Sequence, residues 1–169
     1  MHNLTSLQSL SIWSCQWIES ISEGVLPTSL TFLYISCENL KQPIKEWGLH
    51  GLTSLEGFHI GWICPPGDLL PPPLISFGIY QVKNLKSLSR ELFQNLSSLQ
   101  QLFIHDCPEL QFLPKEALPS SLGDLWIHNC SRLAQRLKEK QDYHAPHSPH
   151  PSCGDRLKLG TAMPLSELI

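Results

Sequence analysis

The sequence is short of charge. Only 16% of its residues are Asp, Glu, Lys or Arg, and the formal net charge is −3 with a pI near 6.2. Binding to nucleic acid calls for a basic patch or stripe, and this balance gives no electrostatic case for one. The chain also lacks any run near the ~20 continuous apolar residues of a membrane span, so no membrane partner is expected. Its start, Met-His-Asn-Leu-Thr-Ser-Leu, has neither a basic n-region nor an apolar h-region and does not resemble a secretory signal. The phosphate-cradling G-x-x-x-x-G-K-[ST] is absent, as are C-x-x-C, H-E-x-x-H and G-x-S-x-G. Neither an enzyme nor a cofactor is expected.

What is present is one pattern written six times, a hydrophobic pair flanking a single variable residue. It occurs as Leu10-Ser-Ile12, Leu33-Tyr-Ile35, Phe58-His-Ile60, Phe77-Gly-Ile79, Leu102-Phe-Ile104 and Leu125-Trp-Ile127. The second anchors are separated by 23, 25, 19, 25 and 23 residues. Repeats of about 20–29 residues built on L-x-x-L-x-L are leucine-rich repeats, each supplying one short strand to a curved parallel sheet. The expected fold is an α/β solenoid: a leucine-rich-repeat arc with its parallel β-sheet on the concave face and an irregular or 3-10 convex side. Full units open with Leu4-Thr-Ser-Leu7, Leu52-Thr-Ser-Leu55 and Leu96-Ser-Ser-Leu99. Alternate units open with Pro27-Thr-Ser-Leu30, Pro73-Leu74 and Pro119-Ser-Ser-Leu122, where proline stiffens the approach to a strand. Beyond each bend, inward residues are expected at steps of three: Ile18 and Ile21, Leu40 and Pro43, Leu85 and Leu88, Leu110 and Leu113, then Leu133.

The cysteines follow the repeat. Cys15, Cys107 and Cys130 each lie three residues after a second anchor, and Cys37 lies two after Ile35. Such positions stack one repeat apart, where a buried thiol donates weakly to turn carbonyls. A column of reduced thiols is expected, which places the chain in the cytosol or nucleus. Two stretches break the rhythm. Residues 61–73 displace the next thiol by one place, to Cys64, in a proline-rich turn that either is a degenerate repeat or exposes Trp62 as a kink or partner loop. Lys41 to Gly51 makes a longer arc, with Trp47 expected as a lid over its repeat.

After Leu133 the pattern stops. Arg132 to Lys140 is basic, helix-capable and suited to cap the last repeat. The repeat domain is therefore assigned to 3–140, and 141–169 to a disordered tail containing Pro146, Pro149 and Pro151. His144, His147, His150 and Cys153 have zinc-ligand chemistry, but interleaved prolines and the lack of a surrounding core assign them to the tail, and no metal site is expected.

The alternation of Leu-Thr-Ser-Leu with Pro-x-Ser-Leu resembles plant disease-resistance proteins. So do the run Ile104-His-Asp-Cys107-Pro108-Glu-Leu110-Gln-Phe-Leu113-Pro114 and the phrase Trp47-Gly-Leu-His-Gly-Leu-Thr-Ser-Leu55. The resemblance is to the carboxy-terminal repeats of cytosolic nucleotide-binding leucine-rich-repeat immune receptors of the coiled-coil subclass, over roughly residues 3–140. It implies recognition of a pathogen effector, a guarded host protein or other receptor domains. The alternative is a generic repeat scaffold or a substrate adaptor of F-box type. With no nucleotide-binding motif, ATP switching does not carry over. The first repeat begins at Leu4 with no room for an amino-terminal cap, which predicts an exposed first strand and suggests a truncated or partial receptor.

Strand alternation puts the anchors inward and the residues between and after them outward. One expected column is Ser11, Tyr34, His59, Gly78, Phe103 and Trp126; the other is Trp13, Ser36, Gly61, Tyr80, His105 and His128. Aromatics are enriched at binding hot spots. The candidate partner-binding residues are therefore Trp13, Tyr34, His59, Tyr80, Phe103, His105, Trp126 and His128.

Overall fold

A strand with two inward apolar residues cannot bury them alone, so each repeat must stack on its neighbours. The computed structural model describes residues 5–22, 24–63, 70–71, 73–141 and 156–158. Six five-residue strands, β1 (Ser9–Trp13), β2 (Phe32–Ser36), β3 (Gly57–Gly61), β4 (Ser76–Tyr80), β5 (Gln101–His105) and β6 (Asp124–His128), pair in parallel and in chain order. Their register aligns every repeat: Leu10, Leu33, Phe58, Phe77, Leu102 and Leu125 lie side by side, as do the six isoleucines. The chain is a leucine-rich-repeat-like β-solenoid. Short 3-10 turns at Ile44–Trp47, Leu49–Gly51, Glu91–Phe93 and Lys115–Ala117 carry the chain back.

Each coil enters its strand through a tight turn. Leu30, Leu55, Leu74, Leu99 and Leu122 donate their N–H to the carbonyl three residues earlier, at Pro27, Leu52, Pro71, Leu96 and Pro119. The turn itself makes no use of its first residue's N–H, so proline can stand there, although the leucine entries gain a further bond, from Leu52 to the Leu49 carbonyl and from Leu96 to the Phe93 carbonyl. The fourth unit therefore starts at Pro71, not at Pro73 as its sequence suggests. In the Pro-x-Ser-Leu entries the serine also acts: Ser29 and Ser121 hydroxyls donate to the Leu7 and Leu99 carbonyls of the preceding coil, each at 2.7 Å.

The strands end in a shared bend. Ser14, Trp62, Gln81, Asp106 and Asn129 each take a positive φ, between 49° and 68°. That left-handed turn is uncommon for residues with a Cβ and suits Asp and Asn best. The first four donate their N–H to the last strand residue of the next coil, as in Asp106 to His128 at 2.9 Å. Repeat two omits this residue, and Ser36 leads straight into Cys37. That explains why Cys37 stands one place closer to its anchor than the other thiols.

The thiol column is interrupted. Cys37, Cys107 and Cys130 are buried, Cys15 is half-buried, and all four are free. Ile63 and Val82 occupy the equivalent positions in repeats three and four, leaving two thiol pairs at the two ends. Cys64 and Cys153 lie outside the described residues. Cys130 Sγ donates to the His128 carbonyl at 3.3 Å and Cys107 Sγ to the His105 carbonyl at 3.4 Å. The hydrogen bond with Cys130, together with burial, pushes the Cys107 thiol up, and burial does the same to Cys37.

On the long arc, Pro43 is exposed rather than inward, and Ile44 takes its place at 4% exposure because the chain turns into a 3-10 helix there. Trp47 lies at 1% exposure, edge-on to Phe58 with ring centroids 6.4 Å apart. Trp62 is half-buried under the Lys83 ammonium, 5.4 Å from its ring, so it is not an open loop tip.

The two ends differ. At the last repeat α1 (Ser131–Gln141) buries Leu133, bridges Arg132 to Glu109 at 3.0 Å and lays Arg136 over the Phe112 ring. A further strand, β7 (Arg156–Lys158), pairs antiparallel with β6. It falls within the 141–169 segment that the sequence assigns to a tail; of that segment 142–155, with His144, His147 and His150, and 159–169 lie outside the described residues. At the first repeat Leu7, Leu10, Ile12, Cys15 and Ile18 are only partly buried, while Leu33, Ile35, Phe58 and Ile60 are at 0% exposure.

Alkylation of the native protein should label Cys15 first and leave Cys37, Cys107 and Cys130 protected until unfolding, since the reagent cannot reach a buried thiol. Mass spectrometry of differentially alkylated peptides reads this directly. A disulfide among these four would overturn the assignment.

Candidate partner-binding face

Every second residue of each strand points away from the core, and the in-register pairing turns these residues into columns. The structure contains the two expected columns and adds a third, Ser9, Phe32, Gly57, Ser76, Gln101 and Asp124. At ~4.8 Å per strand the face is about 24 Å tall. Asp124 is the only formally charged side chain in the three columns at neutral pH. The face is thus aromatic, hydroxylic and imidazole-bearing, with a single formal charge.

Its centre is a hollow made by glycines and filled by neighbouring rings. A Cβ on Gly78 would come within 2.6 Å of Tyr80 Cε2 and 2.8 Å of His59 Nδ1. One on Gly57 would meet Phe32 Cδ2 and one on Gly61 would meet Ser36 Oγ, both closer than any real side chain tolerates. Into this hollow sinks His59. Its Nδ1 lies 2.9 Å from the Tyr80 hydroxyl and its Nε2 2.9 Å from Ser76 Oγ. Phe32, Tyr34, Tyr80 and Phe103 pack around the ring, with centroids 5.1 to 6.5 Å away.

His59 is therefore not the exposed contact that strand alternation suggests. It is 9% exposed, and Ser36 is 6% exposed. Both point outward from the sheet, but the wide side chains of adjacent strands close over positions flanked by glycine. Burial, then the nearby His105, lowers the His59 pKa to about 4. Burial, then Tyr34, raises that of Tyr80 to about 12. His59 stays neutral at physiological pH and serves as the floor of the face.

The rings continue to both sides. Trp13 stacks on Tyr34 at 4.4 Å between centroids, and Tyr34 reaches Tyr80 at 5.7 Å. Tyr80 leads to His105 at 5.2 Å and His105 to His128 at 5.5 Å. Phe103 and Trp126 stack at 5.9 Å with planes 13° apart. All eight residues singled out from the sequence thus join one ladder. Trp13 is 63% exposed, Tyr34, Tyr80, Phe103, His105, Trp126 and His128 are half-exposed, and only His59 is submerged. Burial, then His128, lowers the His105 pKa, opposed by Asp106.

Phe32 and Ser76 escaped the sequence reading, although they obey the same alternation two places before the first outward column. Among the described residues no group of three or more His, Cys, Asp or Glu side chains could hold a metal ion. No helix among them is long and apolar enough to cross a membrane.

Between pH 6.5 and about 4 the unfolded chain protonates His59 while the folded chain does not. Stability should therefore fall as pH drops through this window, by roughly 3 kcal/mol in all, and level off below it. His105 adds a slope of the same sign. Urea unfolding across this range should show the loss, and His59→Gln should flatten it. Gly78→Ala should cost about 1–3 kcal/mol at neutral pH because the Tyr80 or His59 ring must leave its rotamer.

No protein-family model matches the chain. No solved structure matches it either. A protein of Arabidopsis thaliana that carries the name of a disease resistance protein is 35% identical over 145 residues, covering 82% of this chain and 10% of that protein. The chain spans about a tenth of the length of the curated relative it matches, and over most of its own length it is similar to a region of a disease resistance protein.

Proposed function

We propose that this chain is a protein-recognition module of a plant immune receptor, corresponding to carboxy-terminal repeats of the nucleotide-binding, coiled-coil subclass and acting in the cytosol or nucleus without catalysis or cofactor. The observation that carries the reading is the aromatic ladder, six strands long and nearly uncharged, on a chain similar to a disease resistance protein. Tyr, Trp and Phe supply large contact area at low entropic cost, and rings already packed on one another lose little freedom when a partner covers them. A pathogen effector, a guarded host protein or another receptor domain would meet this face through apolar contact and hydrogen bonds to Tyr and His. A low field favours neither nucleic acid nor a membrane surface.

The submerged position of His59 decides which changes test the idea. Tyr80 holds His59, so its removal would disturb the sheet as well as the surface. Trp13 and Phe103 carry exposed area, and their side-chain contacts are ring against ring. Trp13→Ala with Phe103→Ala should leave thermal melting within a few degrees of the parent and reduce capture of a specific effector or host protein by tenfold or more, about 1.4 kcal/mol or above. Capture should be measured against a panel of purified effectors and host proteins. Unaltered affinity for a specific binder would move the interface off the ladder.

A further inference from the structure

Two histidines stand side by side on the outward face of the last two parallel strands. His105 and His128 each follow the second anchor of their strand, and the register of β5 and β6 makes them partners. Both are half-exposed, with ring centroids 5.5 Å apart and planes inclined by 33°. Their backbone is pinned. The His105 carbonyl accepts from the Gln81 N–H at 2.9 Å and from the Cys107 thiol at 3.4 Å. The His128 carbonyl accepts from the Asp106 N–H at 2.9 Å and from the Cys130 thiol at 3.3 Å. Just beyond, Asn129 Nδ2 donates to Asp106 Oδ1 at 2.8 Å and ties the two bends together. Both rings therefore rise from fixed positions, and only their own side-chain torsions are left to adjust.

We propose that His105 and His128 form a two-histidine site for a zinc ion, with water in the two remaining positions of its tetrahedron in the free chain. This goes beyond the recognition reading and does not rest on it. Distance selects the ion. With a Zn–N bond of ~2.1 Å and a ring centroid ~1.1 Å behind the nitrogen, two imidazoles on one tetrahedral ion have centroids ~5.2 Å apart. Ligands at a right angle, as in octahedral or square-planar coordination, would need ~4.5 Å. The observed 5.5 Å lies a small rotation from the first arrangement and about 1 Å from the second. An imidazole must be neutral to ligate a metal. Burial, then His128, lowers the His105 pKa, opposed by Asp106, so a proton does not compete there near pH 7. The neighbouring strand supplies no third ligand, because the Tyr80 hydroxyl is already 2.9 Å from His59 Nδ1. Two side chains cannot close a structural site, which takes four, so the ion keeps open positions on the solvent side of the face.

His144, His147, His150 and Cys153 have zinc-ligand chemistry of their own, so the test uses the full chain carrying His144→Asn, His147→Asn, His150→Asn and Cys153→Ser. Calorimetric titration of this chain with zinc chloride, under a reductant that is not a thiol, should show one ion per chain. His105→Gln and His128→Gln should each weaken binding tenfold or more with an unchanged circular dichroism spectrum, since even an outer partner of a metal ligand is worth about tenfold. His50→Gln should leave the affinity as it was. Zinc should also shift the imidazole nitrogen resonances of His105 and His128 together and leave those of His59 in place. That measurement needs no change at either ligand and decides the matter even if a substitution unfolds the chain. No binding by the tail-substituted chain, unchanged affinity after either His→Gln change, or a shift at only one of the two rings overturns the proposal.

Discussion

Everything in this molecule depends on strands that cannot bury their own anchors. Each repeat offers one Leu or Phe and one Ile to the core, and only the coils above and below remove them from water. The six pairs therefore align residue for residue, and the anchors from Leu33 to Ile127 lie between 0% and 8% exposure. A one-residue slip in any strand would turn its anchors outward and its outward residues into the core. The same register that builds the core also builds the outer columns. Surface and interior are two readings of one constraint.

The middle and the ends of the sheet solve different problems. In β3 and β4 the inward anchors are Phe58 and Phe77, stacked with centroids 6.0 Å apart, while glycine takes outward positions 57, 61 and 78. Bulk is moved to the inner side, and the space left outside admits His59 and the rings of neighbouring strands. The result is a preorganised aromatic floor in which both ring nitrogens of His59 already have partners. At the carboxy-terminal end α1 closes the last coil. In the first coil Leu10 and Ile12 are only partly buried, and Trp13 and Trp17 stand at 63% and 92% exposure.

Much of the fold was legible because its signal is periodic. The anchors, the six strands, the convex 3-10 turns and the basic capping helix all follow from residue spacing, and spacing survives in one dimension. The turn at Pro71 rather than Pro73 and the inward Ile44 in place of Pro43 were not legible. Both depend on which carbonyl a tight turn selects, a choice made within one or two residues by local hydrogen bonding. The short bend of repeat two was visible only as an odd cysteine spacing.

The sequence by itself determined the repeat, the strand register and which side of the sheet each residue takes, because a period of two fixes direction without any knowledge of neighbours. It also determined the chemistry of the open face, aromatic and almost without charge. Only the tertiary structure decided which outward residues meet solvent. His59 and Ser36 point the same way as Trp13, yet Phe32, Tyr34, Tyr80 and Phe103 crowd over the first and no such cover exists for the last. Direction is a property of one strand, whereas exposure depends on the width of side chains on neighbouring strands, which sequence order separates by about a repeat at each step.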